Sequence, residues 1–269
     1  MTRTNGRIPC PRCGQARAWL TRDGWLLCNR RNACGFRGRP DGATVLGGPP
    51  SSRKPRLDAA EVRAFWESTA DLDIDREACA LLDAKGSDPA ILSRLGLVRV
   101  VRPSVRPRFA WWPSHRPDWA AHRIVTRGFD ARGVAVNVHA RSVRRVDSPK
   151  TRWARGRDAS GLFFADALGE ALLGGLERAR RVSAVFIAEG LTDFARAVCW
   201  AQRTGREARG LAIFGLVAGS APALAAARFP DVPIFVATDD DAAGARYARA
   251  VRCALSSHRV ARVVIGGAS

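Results

Sequence analysis

Residues 182–194 read VSAVFIAEGLTDF, and residues 232–244 read VPIFVATDDDAAG. Each is a short, continuous apolar run that ends on an acid and passes into a helical pattern. Two more runs, LAIF at 211–214 and ARVVI at 261–265, share that character. Strands buried on both faces produce such runs, so four of them separated by helical patterns predict a parallel βαβ sheet. In these sheets chemistry is placed outside the carboxyl edge of the strands. Glu189 stands there directly after VFIA, with Gly190 allowing a tight turn and Asp193 in the first turn of the next helix. Asp239 and Asp241 follow IFVAT, at alternate positions that face one side, while Asp240 points away as a solvated or capping acid. Crowded carboxylates repel one another unless a cation neutralises them, and hard oxygen ligands suit Mg²⁺ or Mn²⁺. The competing use of these acids is as helix N-caps in an ordinary flavodoxin-like sheet.

Glu-Gly after one strand, then Asp-x-Asp-x-x-Gly about fifty residues later after the third, resembles the toprim domain of bacterial primases, topoisomerases, some nucleases and recombination mediators. The resemblance covers roughly residues 182–265 and implies that Glu189, Asp239 and Asp241 are catalytic metal ligands. A topoisomerase needs a nucleophilic tyrosine on another domain, whereas the single tyrosine, Tyr247, falls inside the helix after Gly244. Toprim primases usually continue past the last strand into a Pro-rich turn and a further acidic motif. Here the sequence runs to ARVVIGGAS, which leaves a minimal enzyme and an inactive relative as alternatives.

At the other end, CPRCG places Cys10 and Cys13 at the knuckle spacing with which two thiolates grip a tetrahedral Zn²⁺, and Cys28 with Cys34 can supply the second pair. Between the pairs, Trp19 to Arg22, an Asp23-Gly24 turn and Trp25 to Cys28 predict the hairpin that frames a zinc ribbon. A unit this small needs its metal to fold. Trp19, Trp25 and Phe36 are placed either to stack on single-stranded bases or to shield the metal. The cysteines outside this unit, Cys79, Cys199 and Cys253, lie in apolar helical patterns and are expected in the core.

The middle of the chain opens with helices. Asp58 and Glu61 form a capping box with Leu57 and Val62 at the staple positions, Asp75 starts a second helix that stops at Gly86, and Asp88-Pro89 starts a third. From Val98 to about Ala165 short alternating strands take over, with a hairpin at Asp130 to Gly133. The segments ALLDAKGSDPAILSRLGL, RIVTRGFDARGVAVNVHARSV and SPKTRW resemble, in order, the N-terminal part of the primase RNA-polymerase domain. That resemblance puts Arg123, Arg141 and Lys150 on the family's basic positions, which handle the template and the triphosphates of incoming nucleotides. It departs in lacking the family's Pro in the strand pair and in displacing an aromatic to Trp153. Lys150 is one of three lysines in a chain that otherwise writes arginine, and a compact ammonium suits a phosphate as a point charge.

Charge narrows the partner. The chain has a formal net charge of +19, concentrated in two blocks: +10 through Leu57 and +13 from Arg94 to Arg157. A nucleic-acid track explains that clustering better than general solubility does. With 269 residues and 46% hydrophobic content the chain can bury the cores of two or three units. It has no apolar stretch to span a bilayer, no apolar run for a secretory signal and no P-loop, so a cytoplasmic protein without a membrane partner or a built-in helicase is expected.

The expected fold is α/β: a zinc ribbon at 1–38, a flexible linker at 39–57, a basic primase-type α+β subdomain at 58–181 and a toprim parallel-sheet, Rossmann-like domain at 182–269. The expected function is a DNA primase with one structural Zn²⁺ and one or two catalytic Mg²⁺ or Mn²⁺ ions. It would act on a single-stranded DNA template and ribonucleoside triphosphates beside a separate replicative helicase. The alternatives are a non-catalytic single-strand-binding or recombination-loading protein and a toprim nuclease.

Overall fold

The computed structural model describes residues 10, 18–20, 26–28, 37–38, 54–102, 104–112, 120–144, 150–217 and 220–265. These form two compact units, 1–54 and 55–269.

In the first unit β1 (Ala18–Leu20), β2 (Leu26–Cys28) and β3 (Arg37–Gly38) form a three-stranded sheet in that order. β1 and β2 are antiparallel, as a hairpin predicts, but Leu20 pairs with Leu26, one residue off the register that a two-residue Asp23-Gly24 turn would set, and the connecting residues lie outside the described ones. Cys10 is buried. Cys13, Cys34, Trp25 and Phe36 lie outside the described residues, and Trp19 and Cys28 are described in backbone alone, so the zinc site and the stacking aromatics fall outside this description.

The second unit begins as its local signals dictate. Asp58 caps α1 (Ala59–Ser68), accepting from Ala60 N at 2.8 Å while Glu61 completes the capping box, and the staple residues Leu57 and Val62 are buried together. Asp75 caps α2 (Arg76–Asp83), and Asp88 caps α3 (Pro89–Arg94), which has its proline at the start. The short strand β4 (Ala70–Asp71) lies between α1 and α2, and α3 is followed by the short β5 (Arg99–Val100), then the antiparallel β6 (Ile124–Phe129), β7 (Ala135–Arg141) and β8 (Thr151–Trp153). The β6–β7 connection is the predicted hairpin, with Gly133 N donating to Asp130 O at 3.0 Å.

After β9 (Phe163–Ala165) and α4 (Ala167–Leu173) the chain becomes a parallel α/β array. Its elements are β10 (Ala184–Glu189), α5 (Gly190–Arg203), β11 (Leu211–Leu216), β12 (Ile234–Thr238), α6 (Ala242–Ala254) and β13 (Val260–Val264). The four apolar runs are its parallel strands, in the order β13-β12-β10-β11.

β9 joins the two patterns. It pairs antiparallel with β11 on one side and, through Phe163 to Phe129, with β6 on the other, making one ten-stranded sheet among the described residues. Side chains alternate along each strand, so one face packs against α2, α3 and α5 through residues such as Ile213, Phe164 and Phe194. The other face packs against α4 and α6 through Ile187, Phe214 and Val236. Of the expected core cysteines, Cys199 is buried and Cys79 partly so, but Cys253 is exposed. The buried positions of α6 are Gly244, Ala248 and Val251, and Cys253 lies off that stripe. Among the described residues no helix is long and apolar enough to cross a membrane.

Candidate active site

β10 and β12 are parallel neighbours in which Ile187 pairs with Val236, so two residues further on Glu189 and Thr238 end side by side at the carboxyl edge. The chain leaves β10 through Gly190 at φ +76°, a left-handed turn that glycine adopts without a Cβ penalty. It leaves β12 through Asp239 to Asp241. Gly244 is needed on packing grounds, because a Cβ there would run into the Asp239 carbonyl. Arg262 of β13 braces this loop, donating to Thr238 Oγ1 and to Asp239 O, both at 2.8 Å.

The acids meet electrostatically. Partial burial, followed by the charges of Asp239, Asp193 and Asp241, raises the Glu189 carboxyl above the usual range. Burial and Asp239 also raise Asp193, although Arg196 pairs with it at 3.5 Å. Glu189, Asp239 and Asp241 form no ion pair among the described residues. Asp241 is also an N-cap, accepting from Gly244 N at 2.6 Å, whereas Glu189 occupies the cap position of α5 without a side-chain cap bond. The capping reading therefore holds at Asp241 and fails at Glu189. Among the described residues no three acids, histidines or cysteines are gathered at metal-ligand distances. The case for a cation therefore rests on donor type and unbalanced charge, since hard oxygens of one sign without a Lys or Arg partner fit a divalent ion.

The three basic positions start on neighbouring rungs and then diverge. Arg141 pairs with Ile124, next to Arg123, and with Thr151, next to Lys150, so all three sit at one end of β6–β7–β8. Arg141 reaches the acid corner. Its guanidinium donates to Thr192 Oγ1 at 3.1 Å, in the helical turn between Glu189 and Asp193, and burial lowers its pKa with no carboxylate partner among the described residues. Lys150 is exposed, and its carbonyl accepts from Ser142 N at 2.8 Å. Arg123 goes elsewhere. It is buried with its guanidinium on Asp75 at 2.7 and 3.1 Å and on Glu77 at 2.7 Å, so it clasps the start of α2 and is not brought to the acids.

Three contributors escaped the sequence reading. Thr192 orients Arg141, Arg262 holds the Asp239 backbone, and Tyr247 donates to Ala188 O at 3.1 Å, fixing the residue before Glu189. Burial, then Glu189 and Asp193, push the Tyr247 phenol upward, so it remains a donor. Only Thr192 carried a signal, from its place inside the EGLTD motif.

No protein-family model and no curated protein sequence matches the chain. Solved structures do. A DNA primase domain from Pseudomonas aeruginosa superposes with a TM-score of 0.51 at 14% identity, covering 78% of this chain and 72% of that one. The Aquifex aeolicus primase, with its zinc-binding and RNA polymerase domains, gives 0.49 at 16% identity over 97% and 72% of the two chains. The RNA polymerase domain of the Mycobacterium tuberculosis primase gives 0.48 at 15% identity over 78% and 75%. The architecture is thus mixed α/β, and its fold is the DnaG-like primase fold.

Proposed function

We propose that the chain is a DNA primase that synthesises short RNA primers on single-stranded DNA. The observation that carries this reading is the Arg141–Thr192 hydrogen bond, which lays a basic strand end against the turn bearing Glu189 and Asp193. Phosphoryl chemistry needs that pairing of an acidic corner with an adjacent arginine.

Glu189 and Asp239, together with the Asp241 oxygen not engaged in capping, would hold Mg²⁺ or Mn²⁺. The ion would neutralise charge at the α-phosphate and at the leaving pyrophosphate as a ribonucleotide 3′-OH attacks. Arg141, anchored by Thr192 and without a carboxylate partner among the described residues, offers its guanidinium to triphosphate oxygens, and Lys150 adds an exposed point charge at the same strand end. Arg123 has a positioning role, through α2. Cys10, Cys13, Cys28 and Cys34 would bind one zinc, and that unit would engage the single-stranded start site, the basic blocks supplying affinity without sequence. A replicative helicase would be a separate partner.

The test is template-directed synthesis from ribonucleotides on single-stranded DNA with Mg²⁺ or Mn²⁺, comparing wild type with Glu189→Gln. Wild type should make product and the variant none. Mg²⁺ should also raise the melting temperature of wild type but not of the variant, a readout that does not depend on turnover. Tight DNA binding without synthesis on any template would replace this reading with the binding-module one. Cleavage of RNA or DNA without nucleotides would replace it with the nuclease.

A further inference from the structure

Parallel strands are normally covered on both faces. α6 lies on one face of β12, and α5 packs on the opposite face of β10 and β11. On the α5 face, β12 and β13 carry no described cover. A groove of about 730 Å³ results, with Phe186, Phe235 and Val263 on its floor and Trp200 of α5 on its wall. Trp200 and Val263 are 40% and 37% exposed, unusual for large apolar side chains.

The rim is basic. Arg196 is paired with Asp193, the one acid of the lining. Arg203, Arg206 and Arg209 are exposed and have no ion pair among the described residues. Arg206 lies 5.8 Å from the centre of the Trp200 ring, and Phe186 packs against the same ring at 5.9 Å.

We infer that this groove docks an acidic amphipathic helix of a partner protein. Two uncovered strands at about 4.8 Å spacing present a strip roughly as wide as the 10 Å diameter of one helix. The apolar floor demands a complementary apolar face, and three unpaired guanidiniums demand carboxylates beside it. Single-stranded nucleic acid fits the rim less well, since the Trp200 ring already carries Arg206 and Phe186 and is not free to stack on a base. The inference does not depend on the catalytic reading.

The test is fluorescence anisotropy on the full chain, with a labelled model helix of about 18 residues, roughly 27 Å long, bearing leucines on one face and glutamates on the other. Binding should weaken by about tenfold or more in Arg203→Glu/Arg206→Glu and, independently, in Val263→Asp, both at exposed positions and both checked by unchanged melting. The same peptide with lysines for glutamates should bind far more weakly. The inference is overturned by no binding up to about 1 mM peptide, by equal binding to both variants, or by equal binding of the lysine peptide. It is equally overturned if the variants lose oligo-dT affinity while keeping the peptide, or if light scattering shows a dimer that Val263→Asp dissociates.

Discussion

Asp241 is asked to do two things, and two substitutions separate them. Its carboxylate accepts from Gly244 N at 2.6 Å as the N-cap of α6, and its charge raises the Glu189 carboxyl. Asp241→Ala removes both the acceptor and the charge, and loss of an N-cap costs about 1 kcal/mol. For a unit of this size that lowers the melting temperature by roughly 2–4 °C. Asp241→Asn keeps a cap of equal quality and removes only the charge, so its stability in EDTA should stay within a few tenths of a kcal/mol of wild type, shifted if anything upward by reduced repulsion. Primer synthesis with Mg²⁺ should collapse in both. Chemical denaturation in EDTA and the primer assay read the two properties separately. If Asp241→Asn keeps near-wild-type synthesis, Asp241 is a cap and nothing more. If the two variants are equally destabilised, the cap bond is not formed as described.

Arg141→Ala and Lys150→Ala should weaken nucleotide use more than DNA binding, because the remaining arginines still supply salt-sensitive phosphate contacts; equal losses would make both ordinary DNA-binding positions. Arg123→Ala should instead cost about 3–5 kcal/mol of stability by stranding the buried Asp75 carboxylate, and a folded, fully stable variant would refute its structural assignment. Freshly purified protein should hold one zinc per chain, released by Cys28→Ser with residues 55–269 still folded; absence of zinc in wild type would remove the ribbon. Burial raises the Asp166 carboxyl from 3.8 to about 7, so its contribution to stability is present at low pH and is lost as pH rises through 7. Burial, then Arg141 and His122, lower His139 from 6.5 to about 3, so its contribution is present above 6.5 and is lost as pH falls toward 3. The two slopes oppose each other between pH 3.8 and 6.5, and Asp166→Asn should uncover the His139 slope of about 1.4 kcal/mol per pH unit, whereas an unchanged profile would contradict the assignment.

What was legible in the sequence was local or periodic. The capping box at Asp58 and Glu61, the Asp88-Pro89 start and the Asp130 hairpin each complete their bonds within four residues. The parallel strands were legible because burial on both faces leaves a continuous apolar run. Arg123 was misleading for a non-local reason. Its partner Asp75 lies 48 residues away, and in a block at +13 one arginine looks like another. Cys253 misled because three small or apolar neighbours suggested burial, while the stripe of α6 that enters the core is narrow.

The least legible element, β9, has the largest consequence. Its three residues, Phe163 to Ala165, show no alternation to mark which strands they join. Yet Phe163 pairs with Leu216 on one side and Phe129 on the other, and Phe164 stacks on Trp153 of the basic half and packs at a tilt against Phe194 of α5. This makes the basic and acidic halves one continuous sheet. The end of β7 is therefore held at a fixed height against the first turn of α5, and Arg141 meets Thr192 without a hinge between them. On the proposed function, an arginine positioning phosphate oxygens beside the acidic corner would gain from that rigidity, since ångström-scale misplacement of a positioning group costs orders of magnitude in rate. The aromatic stack at β9 thus belongs to the site's geometry although none of its rings touches the acids.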